Sequence, residues 1–216
     1  MTDTNSTIAF IGLGNMGGPM AANLAASGYS VHGFDVGAEA LAKAREAGIS
    51  TFASVADAVD GADAVISMLP NGALVDAVVT EALAVVKLDT AFIDCSTISV
   101  DDAKAIHAKA AEAGSPFIDA PVSGGVAGAA AGTLAFMVGG DESDVARATP
   151  LFDVMGRAVT HCGPVGAGQA AKVCNNMVLA IQQLAIGEAM SSARSWGCRP
   201  NRSTPWCRTR PAPAGR

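Results

Sequence analysis

The sequence predicts an α/β protein built on a doubly wound, mostly parallel β-sheet. Short, continuously apolar runs alternate along the chain with longer patterns of helical period. Glycine follows several helical patterns where the period stops, and the patterns are rich in alanine. Strands that alternate with helices at this spacing form parallel sheets covered by helices on both faces, and small alanine side chains suit close packing there.

The strands and helices can be placed in order from the N-terminus. The buried-strand candidates are Ile8–Ile11, Ser30–Phe34, Ala64–Met68, Ala91–Asp94, Pro116–Asp119, Leu134–Val138 and Ala158–Thr160. The helix candidates are Met16–Ala26, Ala38–Ala47, Ala73–Val86, Val100–Ala113 and, as one long helix, Gly168–Met190. We therefore expect parallel strands whose carboxyl ends share one edge, where open sheets of this kind bind ligands.

Composition limits the class of protein. The 216 residues are 50% hydrophobic and 16% charged, which excludes a disordered chain and a coiled coil and provides enough apolar side chains for a core. No apolar run reaches the roughly 18 residues of a membrane span. The polar segment Met1–Thr7 does not resemble a signal peptide. We therefore expect a soluble, cytoplasmic protein without a membrane partner.

Charge and cysteine spacing exclude further classes. All 20 acidic residues but only 8 of the 14 basic ones lie in residues 1–190, and this acidic body argues against a nucleic-acid partner. The cysteines have no paired spacing, so they are expected to be reduced thiols, with neither a disulfide framework nor a metal site. They are Cys95, Cys162, Cys174, Cys198 and Cys207. Scattered histidines and the lack of a G-x-S-x-G elbow exclude a serine hydrolase.

A glycine motif lies between the first predicted strand and the first predicted helix. Its residues are Gly12, Leu13, Gly14, Asn15, Met16 and Gly17. The glycines permit a tight turn and a close approach of backbone to a pyrophosphate, and the helix N-terminus offers free N–H groups to the phosphates. The motif therefore predicts a Rossmann-like dinucleotide site, with a glycine-rich turn that binds nothing as the alternative.

Asp35 indicates which dinucleotide is bound. It stands at the end of the second predicted strand, about 20 residues after the glycine motif, where an acid hydrogen-bonds the adenosine ribose hydroxyls. Its carboxylate would repel a 2′-phosphate, and no arginine follows within the next few residues. NAD is therefore favoured over NADP as the cofactor, with an ordinary turn acid as the alternative.

Five segments, in order, resemble those of the 3-hydroxyisobutyrate dehydrogenase family, a branch of the β-hydroxyacid dehydrogenases. They are Phe10–Leu24, Met68–Pro70, Asp94–Ile98, Asp119–Gly125 and Gly166–Asn176. The resemblance implies an enzyme that uses NAD to oxidise 3-hydroxyisobutyrate to methylmalonate semialdehyde in valine breakdown, and homo-oligomers among full-length relatives. A sister enzyme for another short 3-hydroxyacid, such as tartronate semialdehyde, and an inactive cofactor-binding fragment remain open.

The resemblance also implies further cofactor contacts at the carboxyl edge of the sheet. Leu69 and Pro70 follow one predicted strand and Thr97 follows the next. All three are implied to pack against the ribose and nicotinamide side of the cofactor. Pro70 could also begin a helix and Thr97 could cap one, and both structural roles are compatible with cofactor contact.

A turn at Ser123, Gly124 and Gly125 is the expected substrate site. Its hydroxyl and exposed N–H groups could bind a carboxylate, and the resemblance assigns that carboxylate to the substrate. A Ser-Gly-Gly segment is more often simply a turn, so this assignment depends on the resemblance.

Lys172 is expected to accept the proton that leaves the hydroxyl of the substrate. It stands four residues before Asn176 on the long predicted helix, so the two side chains share a face. Oxidation of an alcohol requires a base for the hydroxyl proton, and partial burial would lower the pKa of the Lys172 amine for this task. Asn176, or Asn175 beside it, would fix the alcohol or the lysine. A solvated surface lysine is the alternative.

The chain is expected to have three parts. Residues 1–164 form the NAD-binding domain, 165–190 begin a helical C-terminal domain, and 191–216 form a disordered basic tail. The tail holds six of the nine arginines and does not resemble the family, so we expect a C-terminal truncation by a frameshift near Met190–Ser192, natural or from sequencing, and weak activity. The long helix is then expected to expose an apolar face. That face consists of Val178, Leu179, Ile181, Leu184 and Ile186.

Overall fold

The computed structural model describes residues 6–197. Its strands are β1 (Thr7–Ile11), β2 (Ser30–Phe34), β3 (Ser50–Thr51), β4 (Ala64–Ser67), β5 (Ala91–Asp94), β6 (Phe117–Asp119), β7 (Val122–Ser123), β8 (Leu134–Gly139) and β9 (Gly156–Gly163). Its helices are α1 (Gly17–Ala26), α2 (Ala38–Glu46), α3 (Val55–Val59), α4 (Gly72–Leu83), α5 (Val100–Glu112), α6 (Gly125–Ala130), α7 (Glu142–Met155) and α8 (Ala167–Ser195).

The strands of residues 6–197 form one sheet in the order β3-β2-β1-β4-β5-β6-β8-β7, with β9 also paired to β8. Strands β1 to β6 are parallel, whereas β8 runs antiparallel to β6 and β7. The strand order reverses beside β1, which pairs with β2 on one side and with β4 on the other. Because these strands are parallel, the loops after β1, β2, β4 and β5 lie at one edge of the sheet, and the reversal opens a crevice between them beside β1. The predicted fold class is confirmed.

Two hydrophobic layers cover the sheet, and alternate residues of β1 belong to each. Phe10 lies in one layer with Phe136 and Phe152, whose ring centroids are 4.9 Å apart. Ile11 lies in the other layer with Phe92. These five side chains are at most 2% exposed, and each buried side chain of this size contributes about 1.5–3 kcal/mol. The buried core therefore stabilises the sheet and fixes the positions at which the loops leave its edge.

Helix α7 has no counterpart among the elements predicted from the sequence. It buries Val145, Ala148, Leu151, Phe152 and Met155 at helical spacing, which is the signal that could have revealed it. Pro150 lies inside this helix and makes its sequence resemble a break. Tertiary packing of the apolar face outweighs the lost backbone hydrogen bond. The short elements β3, α3, β7 and α6 were not predicted either, because few residues carry a period there.

The chain divides into two compact units, of which the first ends at Lys172 and the second begins at Val173. The first unit thus continues past the expected boundary at residue 164. The reason is the anchoring of the start of α8, where the backbone N–H groups of Gly166 and Gln169 bind the carboxylate of Asp119 in β6.

The end of α8 also differs from the expectation. The helix extends to Ser195, five residues beyond Met190, so Ser191–Ser195 are helical rather than part of a tail. The remainder of the expected tail, 198–216, lies outside the described residues, and the frameshift near Met190–Ser192 stays a prediction.

The expected apolar face of α8 is largely present in the second unit. Val178, Leu179, Ile181 and Leu184 are each more than half exposed, whereas Ile186 is half-buried. None of the helices in residues 6–197 is both long enough and apolar enough to cross a membrane.

Candidate functional site

The glycine motif forms a tight loop between β1 and α1. Gly12 has φ +95°, and a Cβ there would overlap the carbonyl oxygen of Met68. A Cβ on Gly17 would overlap the carbonyl oxygen of Gly12. Gly14 is exposed and has no atom within 4 Å of its Cβ position, so it faces open space at the start of the helix. This open cradle has room for a group the size of a dinucleotide's pyrophosphate.

The remaining residues of the motif have different surroundings. Leu13 is only 4% exposed and its side chain lies in the hydrophobic core, so only its backbone can face a ligand. Asn15 is exposed. Met16 is half-buried and packs against the same core.

Asp35 follows β2 at the same edge and binds the glycine loop directly. Its Oδ2 accepts a hydrogen bond of 2.7 Å from the N–H of Leu13, and its Oδ1 accepts one of 2.7 Å from the N–H of Gly37. The half-buried carboxylate therefore holds the loop in place, a role that the sequence did not reveal.

The two loops after β4 and β5 contain the other predicted cofactor residues. Leu69 is half-buried, whereas Pro70 and Thr97 are exposed. The alternative structural roles, in which Pro70 begins a helix and Thr97 caps one, are wrong. Asn71 caps α4 by accepting a hydrogen bond of 3.0 Å from the N–H of Leu74, so Pro70 precedes the cap.

The cap of α5 is likewise later than the sequence suggested. Ser99 accepts a hydrogen bond of 3.0 Å from the N–H of Asp102, so Thr97 stands two residues before the cap. A serine with an acid three residues later is a common start of a helix, and this signal could have placed the cap.

A buried carboxylate, Asp94, organises these two loops. Its Oδ1 accepts hydrogen bonds from the hydroxyls of Ser67, at 2.7 Å, and Ser96, at 2.6 Å. Ser96 Oγ in turn accepts a hydrogen bond of 2.8 Å from the N–H of Leu69. Burial raises the pKa of Asp94 to about 6, against the opposing effect of the two serine hydroxyls. Its Oδ2 is buried without a hydrogen-bond partner among the described residues.

The neighbouring thiol of Cys95 is fully buried, and burial raises its pKa well above the ordinary range. It is therefore an unreactive, protonated thiol. Within residues 6–197, Cys162 and Cys174 are also free, as expected.

Asp119 fixes the start of α8. Its Oδ1 accepts a hydrogen bond of 2.7 Å from the N–H of Gly166, and its Oδ2 accepts one of 2.8 Å from the N–H of Gln169. Burial raises the pKa of Asp119, and the backbone N–H groups oppose this rise. Gly139 and Gly168 lie so close together here that a Cβ on either would collide with its surroundings.

Lys172 lies on α8, just beyond this anchored turn. Its Nζ donates a hydrogen bond of 2.6 Å to the carbonyl oxygen of Val122. The side chain is half-buried, and this burial lowers the pKa of the amine from its ordinary value of 10.5. The direction of this shift agrees with the expectation for a base that must lose its own proton at moderate pH.

Ser123 is a strand residue rather than part of a free turn. It follows Val122 in β7 and pairs with Ala135 of β8, and its side chain is half-buried. Gly124 and Gly125 have φ of +141° and +63° and lead into α6, so their exposed backbone makes the turn. The hydrogen bond of Lys172 to Val122 thus places the amine beside the segment predicted to bind substrate.

Asn175 and Asn176 belong to the second unit. Both side chains are exposed, and Asn175 Nδ2 donates a hydrogen bond of 3.3 Å to Asn176 Oδ1. Their roles toward the substrate stay predictions.

The reversed strand order and the glycine cradle define a dinucleotide-binding domain of the NAD class. Residues 7–163 match the family model described as the NAD binding domain of 6-phosphogluconate dehydrogenase, so an NAD-binding domain forms most of the chain. Within this class the chain belongs to the 3-hydroxyisobutyrate dehydrogenase family. A solved 3-hydroxyisobutyrate dehydrogenase from Mycobacterium tuberculosis, bound to L-serine, superposes with a TM-score of 0.88 at 51% identity, over 94% of this chain and 73% of that one.

Curated relatives agree with this assignment. A probable 3-hydroxyisobutyrate dehydrogenase from Mycobacterium tuberculosis is 56% identical over 192 residues, which cover 89% of this chain and 65% of the relative. An NAD-dependent L-serine dehydrogenase from Pseudomonas aeruginosa is 51% identical over 85% of this chain and 63% of its own length. The chain thus spans about 65% of the length of the relative with the higher identity.

Proposed function

We propose that the chain acts in the NAD-dependent oxidation of 3-hydroxyisobutyrate to methylmalonate semialdehyde, a step of valine breakdown. The observation that carries the proposal is the half-buried amine of Lys172, fixed at 2.6 Å from the carbonyl oxygen of Val122, next to Ser123. A base at this position would lie beside a hydroxyl held by the Ser123 segment, which supports the proposal.

Oxidation of the alcohol requires the removal of a hydride and of a proton, and Lys172 is proposed to take the proton. Bound NAD would supply the acceptor for the hydride that leaves the alcohol carbon. Neutral Lys172 takes the hydroxyl proton as the C–O bond becomes a carbonyl, and in the reverse direction its ammonium returns that proton. The lowered pKa of Lys172 increases the fraction of neutral amine available for this step.

Substrate binding is proposed for the segment after β7. The Ser123 hydroxyl and the exposed N–H groups of Gly124 and Gly125 would hold the substrate carboxylate. Asn175 and Asn176 would orient the alcohol or the lysine. Hydrogen bonds to a carboxylate are charge-assisted and therefore stronger than those to a neutral group. The site would therefore bind a hydroxyacid more tightly than an alcohol that lacks the carboxylate.

The cofactor is proposed to lie along the carboxyl edge of the sheet. Its pyrophosphate would contact the loop from Gly12 to Gly17, its adenosine ribose would contact Asp35, and its nicotinamide side would contact Leu69, Pro70 and Thr97. The carboxylate of Asp35 would favour NAD over NADP. A cytoplasmic location and a small-molecule substrate are proposed with this reaction, since NAD is an intracellular nucleotide.

A second substrate is favoured by two specific comparisons. The Pseudomonas aeruginosa relative is named an NAD-dependent L-serine dehydrogenase, and the Mycobacterium tuberculosis relative was solved with L-serine. L-Serine is itself a short 3-hydroxyacid, and the same carboxylate site and base would act on it. Tartronate semialdehyde, as the substrate of a reductase, remains a further alternative.

The test compares Lys172→Ala with Lys87→Ala, a control at an exposed lysine. NADH formation is measured with NAD and either 3-hydroxyisobutyrate or L-serine, and NAD binding is measured by calorimetry. We expect Lys172→Ala to lower turnover by about 100-fold or more while NAD binding persists, because general base catalysis supplies an effect of this size. Normal turnover of Lys172→Ala would refute the role of Lys172, and NAD binding without turnover by the unaltered chain would favour a cofactor-binding fragment.

A further inference from the structure

Gln169, in the first turn of α8, is completely buried although its side chain is polar. Its Nε2 donates a hydrogen bond of 2.8 Å to the carbonyl oxygen of Ser96, and its Oε1 accepts one of 3.2 Å from the N–H of Ile98. Both ends of the amide are therefore used by the loop after β5. The two bonded backbone groups lie on either side of Thr97.

The backbone of Gln169 is fixed as firmly as its side chain. Its N–H binds Asp119 Oδ2 at 2.8 Å, so the first turn of α8 cannot shift relative to β6 without breaking this bond. Lys172 follows three residues later, on the same face of the helix. The Gln169 side chain thus joins the loop that contains Thr97 to the first turn of the helix that carries Lys172.

The same contacts continue to the loop after β4. Ser96 Oγ accepts a hydrogen bond from the N–H of Leu69 and donates one to Asp94 Oδ1. Leu69 and Thr97 are the two loop positions proposed to contact the nicotinamide side of the cofactor. The hydrogen bonds from α8 through Gln169 and Ser96 therefore reach both loops.

We propose that Gln169 is a positioning residue that holds the Thr97 loop in fixed register with the Lys172 amine, so that the nicotinamide end of the cofactor meets the proton acceptor. This inference rests on the proposed function, because it assigns a ligand to the Thr97 loop and a base role to Lys172. Gln169 itself touches neither the substrate nor the cofactor in this scheme.

The chemistry of an amide is required at this position. A leucine would leave the Ser96 carbonyl and the Ile98 N–H buried without partners, which is costly in a dry interior. An ionised glutamate keeps the acceptor for the Ile98 N–H but turns a second oxygen toward the Ser96 carbonyl, so this variant is compared at a pH above the pKa of its carboxyl. Only a side chain with both a donor and an acceptor satisfies both backbone groups.

The experiment compares Gln169→Leu and Gln169→Glu with Gln183→Leu, a control at an exposed glutamine of the same helix. Binding of NAD and of AMP to the full chain is measured by calorimetry, and the emission of bound NADH reports the surroundings of the nicotinamide. AMP carries only the half of the cofactor that is assigned to the glycine loop and Asp35. The affinity for AMP therefore reports on that half of the site alone and does not depend on the Thr97 loop.

We expect both Gln169 variants to bind NAD about 10-fold more weakly and to change the emission of bound NADH, while AMP affinity stays within about twofold of the unaltered chain. Gln183→Leu should change none of these quantities. Circular dichroism melting identifies a variant that fails to fold, and if Gln169→Leu does so, the isosteric Gln169→Glu decides the question.

Unchanged affinities for both NAD and AMP in the folded variants would overturn the positioning role and leave the proposed function intact. Equal losses of NAD and AMP affinity would overturn it as well, because they would indicate a general disturbance of the fold. Failure of the unaltered chain to bind NAD would overturn the proposed function and this inference together.

Discussion

Lys172 Nζ donates a hydrogen bond of 2.6 Å to the carbonyl oxygen of Val122, so a helix residue and a strand residue 50 positions apart in the chain meet at one point. The contact depends on β7, which pairs with β8, and on Asp119, which holds the start of α8. Because Val122 directly precedes Ser123, the proposed base contacts the backbone segment that contains the proposed carboxylate site.

The first prediction uses two glycines of the same loop. Gly14→Ala should leave the free energy of unfolding within about 0.5 kcal/mol of the unaltered chain, because its Cβ would meet no atom within 4 Å. It should still weaken NAD binding by about 10-fold or more, since the methyl group would enter the space proposed for the pyrophosphate. Calorimetry and chemical unfolding measure the two quantities.

Gly17→Ala is the matched contrast. Its Cβ would overlap the carbonyl oxygen of Gly12, so the loop must move and the variant should lose about 2 kcal/mol or more of stability. Normal NAD affinity in Gly14→Ala would show that the cofactor does not occupy this cradle.

The sequence predicted the parts of the site that depend on local signals. The glycine loop follows a strand and opens a helix, and Asp35 ends the next strand, so spacing alone located both. The spacing of residues in the sequence could not locate hydrogen-bond partners that meet only after the chain folds. Gln169 binds residues 71 and 73 positions away, and Asp119 binds residues 47 and 50 positions away. No periodicity in the sequence encodes such pairs.

The second prediction concerns Asp35 and cofactor preference. The unaltered chain should bind NAD at least about tenfold more tightly than NADP, because a carboxylate facing a 2′-phosphate costs on the order of 1–3 kcal/mol. Asp35→Asn should narrow this ratio while keeping one acceptor for the backbone N–H groups of Leu13 and Gly37. Affinities for both nucleotides are measured by calorimetry.

Asp35→Ala should behave differently from Asp35→Asn. It releases both backbone N–H groups, so it should weaken the binding of both nucleotides in addition to narrowing the ratio. Asp153→Asn, at an exposed position of α7, is the control. A ratio that stays the same in both Asp35 variants would show that Asp35 does not face the ribose.

The third prediction is a pH dependence of stability that originates from Asp94. Its pKa in the folded chain, about 6, lies above its ordinary value of 3.8, so the fold favours the protonated acid. The stability contributed by this group is therefore greatest below pH 3.8, falls as the pH rises toward 6, and is constant above that.

The measurement is the free energy of urea unfolding at several pH values from 4 to 8, compared with Asp94→Asn, which cannot ionise there. The difference between the unaltered chain and the variant should fall by roughly 2 kcal/mol across this window. A difference that rises with pH would contradict a pKa of Asp94 that burial raises above its ordinary value.

The last prediction orders two lysines by the pH at which they lose a proton. Burial lowers the pKa of Lys172. On the surface of α2, Lys43 Nζ lies 2.7 Å from Glu39 Oε1, and the hydrogen bond and the charge of Glu39 raise the pKa of Lys43. A neutral amine reacts with acetic anhydride and an ammonium does not, so competitive labelling followed by mass spectrometry reports both titrations in one sample. Lys172 should become reactive at the lower pH, because the half-buried ammonium loses hydration that the exposed one keeps. In Glu39→Gln, which removes the charge beside Lys43, the midpoint of Lys43 should move to lower pH while that of Lys172 stays the same. Equal midpoints, or an earlier one for Lys43, would mean that water solvates Lys172 fully and that the amine has no advantage as a base.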